Sequence, residues 1–408
     1  MAFQSGSCSF VRLTVWPGEM LKNESAMPPT GRLETTRIQR RVEALEVFTQ
    51  VFALRQGDRV LCLTDPLLDP RVIAAVRGLA QARGASVSVF EASHPRQLAI
   101  PDAVRPLIEQ ATVVVSTWFC SVLDPFCVAQ RTERGQRWVK LTYFRNLDLL
   151  DTPHARFPLS VLSEIIQATA AGLPRGAPWT LHISDERGSD FRIGYTAEMT
   201  EALLATSRWQ GRLAADHPGA YVHYLPTHGP NLYQRNLALL GRPEATRLDI
   251  EGVIYPQWAV GFVEPFADPI GVHFARDEVV EVTGDSPAAA ILADMLVGGR
   301  LIELGCGFNP AYPRRLIYPA GSNAAGALHY GIDLAHPSDY LRRVLPDWEE
   351  PPVHMDLCLF DATVRAGEQT LVESGMLAAL DAPSVVAQAS HYGDPLALLS
   401  AQDAGARP

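Results

Sequence analysis

The spacing of apolar positions changes character twice along the chain. Residues 1–35 carry no repeated apolar pattern and read as an irregular, polar N-terminal extension. From about residue 36, "RIQRRVEALEVFTQVFAL" places apolar side chains at helical spacing, and Gly57 in the following "RQGDR" can stop a helix. "RVLCLT" is a short apolar run suited to a strand buried on both faces, as in a parallel sheet. "DPRVIAAVRGLAQARG" returns to helical spacing, with Val72, Val76 and Leu79 on one face and Gly84 as the stop. "SVSVF", "ATVVVST" and "WVKLTYF" supply further strands. Alternation of this kind implies a parallel sheet with right-handed crossovers. Residues 36–175 are therefore predicted to form a Rossmann-like α/β lobe.

The second change falls near "AAGLPRGAPW". Beyond it, "WTLHISDERGSDFRIGY", "GVIYPQWAVGFVEPF", "EVVEVTG", "RLIELGCGFNP", "ALHYGID" and "VHMDLCLF" are strand-like stretches separated by Gly and Pro. The clearest helix is "SPAAAILADML", which Ser286 can cap and whose first turn Pro287 fits. Residues 176–408 are predicted to form a β-rich α+β lobe. Within it "PPVHMDLCLF" poses a question of its own. Side chains alternate faces along a strand, so His354 and Asp356 would stand together while Met355, Leu357 and Leu359 face the other way. Such a pair is either a hydrogen-bonded strand-edge couple or half of a metal site.

Composition narrows the classes. The chain has 408 residues, too many for one ordinary domain, and its 47% hydrophobic and 20% charged content is that of a globular protein. A net charge of −10 argues against a nucleic-acid partner, since phosphate contact needs a basic surface. No apolar run reaches bilayer length, and the first residues lack a signal peptide's basic head and apolar core. Six scattered cysteines without a C-x-x-C pair suit free thiols in a reducing compartment, so a cytoplasmic location is expected. The turn after the first strand, "TDPLLDP", lacks the glycines of a dinucleotide site, and no nucleotide cofactor is expected.

Three segments of the second lobe carry groups a divalent metal would accept: Glu303 in "LIELGCGFNP", His329 and His336 in "ALHYGIDLAHP", and His354 with Asp356 in "VHMDL". Each is embedded among apolar residues, where an unpaired carboxylate is costly and a shared cation can offset the cost. By spacing alone they remain equally readable as separate, structurally satisfied polar residues. Cys306 beside Gly307 is a conceivable nucleophile, but nothing near it in sequence marks an activating partner.

The ordered set "RGSDF" (187–191), "ELGCGFNP" (303–310), "HYGID" (329–333) and "HMDL" (354–357) resembles the thermophilic metallo-aminopeptidase family and the related 2,5-dihydroxypyridine 5,6-dioxygenases, over roughly residues 40–365. In the dioxygenase branch the resemblance implies one Fe(II) held by a histidine ahead of the G-x-G element and by both ends of H-x-D. His354 and Asp356 match, and Glu303 stands where that histidine is expected. In the aminopeptidase branch a glutamate at that position and a histidine in the next segment match Glu303 and His329. An upstream glutamate is replaced within "YPQWAVGFVEP" by Gln257, Trp258 or Ala259, and an expected tyrosine by His336.

The resemblance thus implies a metal set of Glu303, His354 and Asp356, with His329 at a partial second position, and one metal rather than two. Candidate catalytic residues are His329 and His336, to orient substrate, and His223 or His228 as a general base; His223 and His228, with His217, read equally well as surface histidines of a Pro/Gly-rich loop. Asp190 is expected to brace the turn that Gly188 permits. Trp258 and Phe262 read as core packing or as an apolar wall for a flat ring. The first expectation is a non-haem Fe(II) dioxygenase of aromatic compound catabolism, taking a hydroxylated aromatic or pyridine-like molecule and O2. The second is a Zn- or Co-dependent amide hydrolase, and the third a non-catalytic binding protein of the same fold. Relatives of this architecture are expected to form homo-oligomers.

Overall fold

A computed structural model describes residues 32–93, 99–118, 120–141, 145–216, 221–223, 229–234, 249–313, 324–334 and 354–400. The described residues divide into two compact units, one within Met1–Arg156 and Ala214–Leu225, the other within Phe157–Leu213 and Pro226–Pro408.

In the first unit, helix Arg32–Phe52 precedes β1 (Arg59–Thr64), β2 (Ser86–Glu91), β3 (Val113–Ser116) and β4 (Arg137–Lys140). All pair in parallel in the order β2-β1-β3-β4, as the alternating sequence pattern requires. β1 and β3 are buried on both faces, whereas β2 alternates, as an edge strand should. The first helix ends at Phe52 because Ala53 turns left-handed, at φ 48°; Gly57, expected as the stop, makes the following turn at φ 81°. Buried Arg137 donates to the Ala53 carbonyl and to Asp58, closing that helix end. Asp65, at the end of β1, accepts both Arg145 guanidinium nitrogens and the Thr117 hydroxyl. A carboxylate thus stands in the turn where a dinucleotide fold would offer glycine N–H groups.

In the second unit β5 (Trp179–Ser184) and β6 (Asp190–Tyr195) form a hairpin; β7 (Tyr221–His223) returns to the first sheet, parallel to β4. The chain continues as β8 (Asn231–Gln234), β9 (Asp249–Ile254), β10 (Trp258–Ala259), β11 (Gly271–Ala275), β12 (Glu278–Thr283), β13 (Arg300–Cys306), β14 (Leu328–Asp333), β15 (His354–Leu359), β16 (Thr363–Ala366), β17 (Gln369–Glu373) and β18 (Met376–Leu377). These make one antiparallel sheet, ordered β10-β15-β14-β13-β12-β11-β9-β6-β5-β16-β17-β18, with β8 also on β13. Helix Pro287–Leu296 is capped by Ser286, whose hydroxyl accepts the Ala289 N–H, with Pro287 in its first turn as expected. The parallel α/β sheet and the strand-rich second part match the sequence reading; that the strands join in one large antiparallel sheet is what the structure adds.

Most outer strands alternate buried and open positions, as in Trp179–Ser184. β14 and β15 do not: they are buried almost throughout. One face of β13–β15 supplies the unit's main core, with Leu304, Tyr330, Ile332, Met355, Leu357 and Leu359. The other face is buried too, and it carries the polar residues.

His154, in the turn Pro153–Arg156, is 6% exposed, and burial pulls its imidazole down to about 4. An unfolded chain takes up this proton near pH 6.5, the folded one only near 4. Stability should therefore fall as the pH drops through that window, by on the order of 3 kcal/mol from this residue, and level off below it. Denaturant unfolding at pH 7 and 4.5 should show a smaller loss for His154→Gln than for the parent; equal losses would count against the assignment.

Candidate metal centre

β13, β14 and β15 lie side by side, with Glu303 opposite Gly331 and Gly331 opposite Asp356. Residues directly opposite share a face. Glu303, Gly331 and Asp356 therefore form one row across the sheet. The row on one side runs Gly305, His329, Cys358, Trp258; on the other, Asp333 faces His354.

Glycine makes the rows possible. A Cβ on Gly331 would sit 2.7 Å from Glu303 Cγ, 3.2 Å from its Oε1 and 3.4 Å from Asp356 Oδ1. On Gly305 it would land 1.9 Å from His329 Cε1. Neither glycine serves a turn; each clears space above a strand for side chains from its neighbours.

One ligand atom each from Glu303, His354 and Asp356 lies within 4.8 Å of the others. His354 Nε2 is 3.7 Å from Asp356 Oδ1, too long for a hydrogen bond between them, and His329 Nε2 is 3.9 Å from Glu303 Oε1. Asn231 Nδ2 donates to the other Glu303 oxygen, Oε2, at 3.0 Å. The Asn231 backbone is held by Trp209, whose indole N–H donates to the Asn231 main-chain carbonyl at 2.9 Å. Side-chain exposure is 26% for Glu303, 32% for His354, 8% for Asp356 and 1% for His329. Burial works to raise the Glu303 carboxyl, but His329, His354, the Asn231 hydrogen bond and Arg208 together hold it below its ordinary value. Burial first, then Asp356, pushes the Cys358 thiol well up.

Two carboxylates and an imidazole converging in a half-buried site form a donor set for a divalent cation. The carboxylates balance its charge, and the imidazole adds a borderline nitrogen donor. Iron(II), zinc and cobalt all accept such a set, so the residues fit a metal without naming it.

Of the other expected residues, His329 joins the cluster as a neighbour of Glu303. His336, His228 and His217 lie outside the described residues, as does the side chain of His223. Gln257, one of the three residues in the stretch that lacks the expected upstream glutamate, is taken up structurally: it accepts the Phe360 N–H at 2.6 Å and donates to Asp361 at 2.8 Å. Cys306 points to the main core, away from the cluster. Trp258 is 3% exposed and packs with Tyr312, Cys358 and Phe360 in a small apolar cluster on the metal-bearing face, its indole donating to the Phe262 carbonyl. Asp190 is exposed and binds His182 and Arg192; the turn at Gly188 is braced instead by Asp185, which accepts the Ser189 and Arg187 N–H groups. Sequence reasoning missed Asn231, and it missed the role of Gly305 and Gly331. Glycine inside an apolar strand was the available signal for the latter two; a single Asn at the head of "NLYQ" offered none.

No family model matches the chain, and no curated protein matches it by sequence. Among solved structures it is similar to 2,5-dihydroxypyridine dioxygenase from Pseudomonas putida KT2440, at a TM-score of 0.55 and 17% identity over 85% of this chain and 99% of that one. It is also similar to wild-type AmpT from Thermus thermophilus, at a TM-score of 0.43 and 14% identity over 84% of this chain and 100% of that one. The first likeness shows a shared fold, and at this identity the fold alone; the second carries no argument of its own. Both branches of the resemblance drawn from the sequence are represented, and the branch is not assigned by either.

Gly331→Ala should leave the fold intact but push Glu303 aside. We expect metal affinity, by calorimetry with Zn(II) or anaerobic Fe(II), to fall at least tenfold with an unchanged far-UV circular dichroism spectrum. Parental affinity in the variant would show that the two carboxylates do not converge over this glycine.

Proposed function

We propose that this chain is a non-haem Fe(II)-dependent dioxygenase that opens the ring of a hydroxylated aromatic or pyridine-like compound, with Glu303, His354 and Asp356 as metal ligands. The observation that carries the reading is the convergence of those three groups on the buried polar face of β13–β15. The fold held in common with a ring-cleaving dioxygenase supports it. Iron(II), when bound, supplies electron exchange between an ionised ring hydroxyl and O2.

The chain's own residues supply the rest. Glu303 and Asp356 balance the dication, so an ionised substrate hydroxyl brings the added negative charge. His329, nearly fully buried beside Glu303, can hold a proton or a hydrogen bond at the edge of the metal set. Trp258 on the same face is buried in an apolar cluster and serves as core packing rather than as a wall open to a substrate ring. The partners on this reading are a small molecule and O2.

A second reading, a metal-dependent amide hydrolase, draws on Glu303 as a carboxylate where the dioxygenase branch is expected to have an imidazole. There the cation would act as Lewis acid. The upstream stretch counts against it, because the glutamate expected in that branch is replaced by Gln257, Trp258 or Ala259, none of them a carboxylate. Protein purified anaerobically and loaded with Fe(II), Zn(II) or Co(II) should be assayed for O2 uptake with hydroxylated aromatics and for amine release from peptides. We expect Fe(II)-dependent O2 uptake, reduced at least a hundredfold in His354→Ala and Asp356→Asn. Zinc- or cobalt-dependent amine release without O2 uptake would support the hydrolase instead. A folded chain that binds no metal would overturn both.

A further inference from the structure

We propose that Asn231 limits the site to a single cation by holding Glu303 Oε2 out of coordination, so that Glu303 ligates through Oε1 alone. The proposal rests on the metal-site reading above and adds a residue that neither the sequence motifs nor the likeness to other structures marks.

The two oxygens of Glu303 have different surroundings. Oε1 lies over Gly331, beside Asp356 Oδ1, with His329 Nε2 at 3.9 Å. Oε2 accepts the Asn231 amide at 3.0 Å. A carboxylate only accepts hydrogen bonds, so it is the amide nitrogen of Asn231 that faces it. That N–H₂ presents positive charge at the place a second cation on Oε2 would occupy, and the two exclude each other.

Asn231 is not a loose side chain. It is 7% exposed, its strand pairs with β13 through Gly305, and its backbone carbonyl accepts the buried Trp209 indole N–H. The Trp209 ring in turn packs edge-on against Phe308, with centroids 6.0 Å apart. The backbone that carries the amide is therefore held by a packed framework. Asn231 touches no reacting atom here; it acts through Glu303 and is a positioning residue.

The test is metal stoichiometry, which does not depend on turnover. Apo protein titrated with Zn(II), followed by calorimetry and by elemental analysis after desalting, should bind one ion per chain. Asn231→Asp replaces the donor by a carboxylate and should raise the count towards two. Asn231→Ala removes the hold on Oε2 and should weaken the single ion by about tenfold or more. Asn231→Ser, which keeps a donor, should lie between the parent and Asn231→Ala, and thermal unfolding of each apo variant checks that it is folded. Two ions bound by the parent, or unchanged affinity and stoichiometry in folded Asn231→Ala and Asn231→Asp, would overturn this inference while leaving the metal site standing. No binding by the parent would overturn the proposed function itself.

Discussion

Everything at the polar face depends on two carboxylates being held together over a residue with no side chain. Glu303 and Asp356 belong to strands that are not neighbours; β14 lies between them, and Gly331 is where it lets them meet. Their ligand atoms lie within 4.8 Å of each other. At an effective dielectric of about 20, like charges at that separation repel by roughly 3 kcal/mol. His329, His354, the Asn231 amide and Arg208 offset part of that, enough to keep the Glu303 carboxyl below its ordinary value despite burial. A divalent cation would complete the balance.

The fold explains why such a face can exist. A sheet with one open face would leave these groups in water, where repulsion is weak and convergence has no purpose. Here β14 and β15 are covered on both sides, one by the main core and the other partly by the Trp258–Tyr312–Phe360 cluster. The segment after β13 helps build that cover. Asn309, fully buried, turns the chain by accepting the Ala311 N–H, and Gly307 and Gly326 exchange backbone bonds with the residues leading into β14. The "GFNP" run thus braces the face that carries Glu303 and Asp356.

Much of this was legible in the residues. The change from helix-and-strand alternation to short strands marked two kinds of sheet, and the strand period at His354–Leu359 correctly sorted Met355, Leu357 and Leu359 to the core. Glu303, His354 and Asp356 were named from their chemistry and the family resemblance, although Glu303 lies on a different strand from the other two. What could not be read was register. Only pairing places Glu303 across from Gly331 and brings Asn231 onto Glu303, and pairing is a long-range property set by packing. The helix stop was misplaced for a local reason: Ala53 adopts a left-handed conformation that glycine usually serves, because Arg137 and Asp58 secure the turn around it.

The charge balance also bears on what chemistry the site can perform. Two carboxylates leave a dication neutral, where one carboxylate and two imidazoles would leave it with a net positive charge. A neutral centre draws an anionic substrate less strongly and, for iron, favours the higher oxidation state. Binding an ionised ring hydroxyl then calls for cationic or hydrogen-bonding groups nearby, and two are present: His329 beside Glu303, and Arg208, whose charge already reaches that carboxylate. Asn231 would work in the same direction: on the inference above it puts an amide where an additional carboxylate would recruit a second metal. On the proposed reading the face would hold one cation and one anionic guest, a combination that suits oxygen chemistry on a hydroxylated ring better than the two-cation clamp of a peptidase.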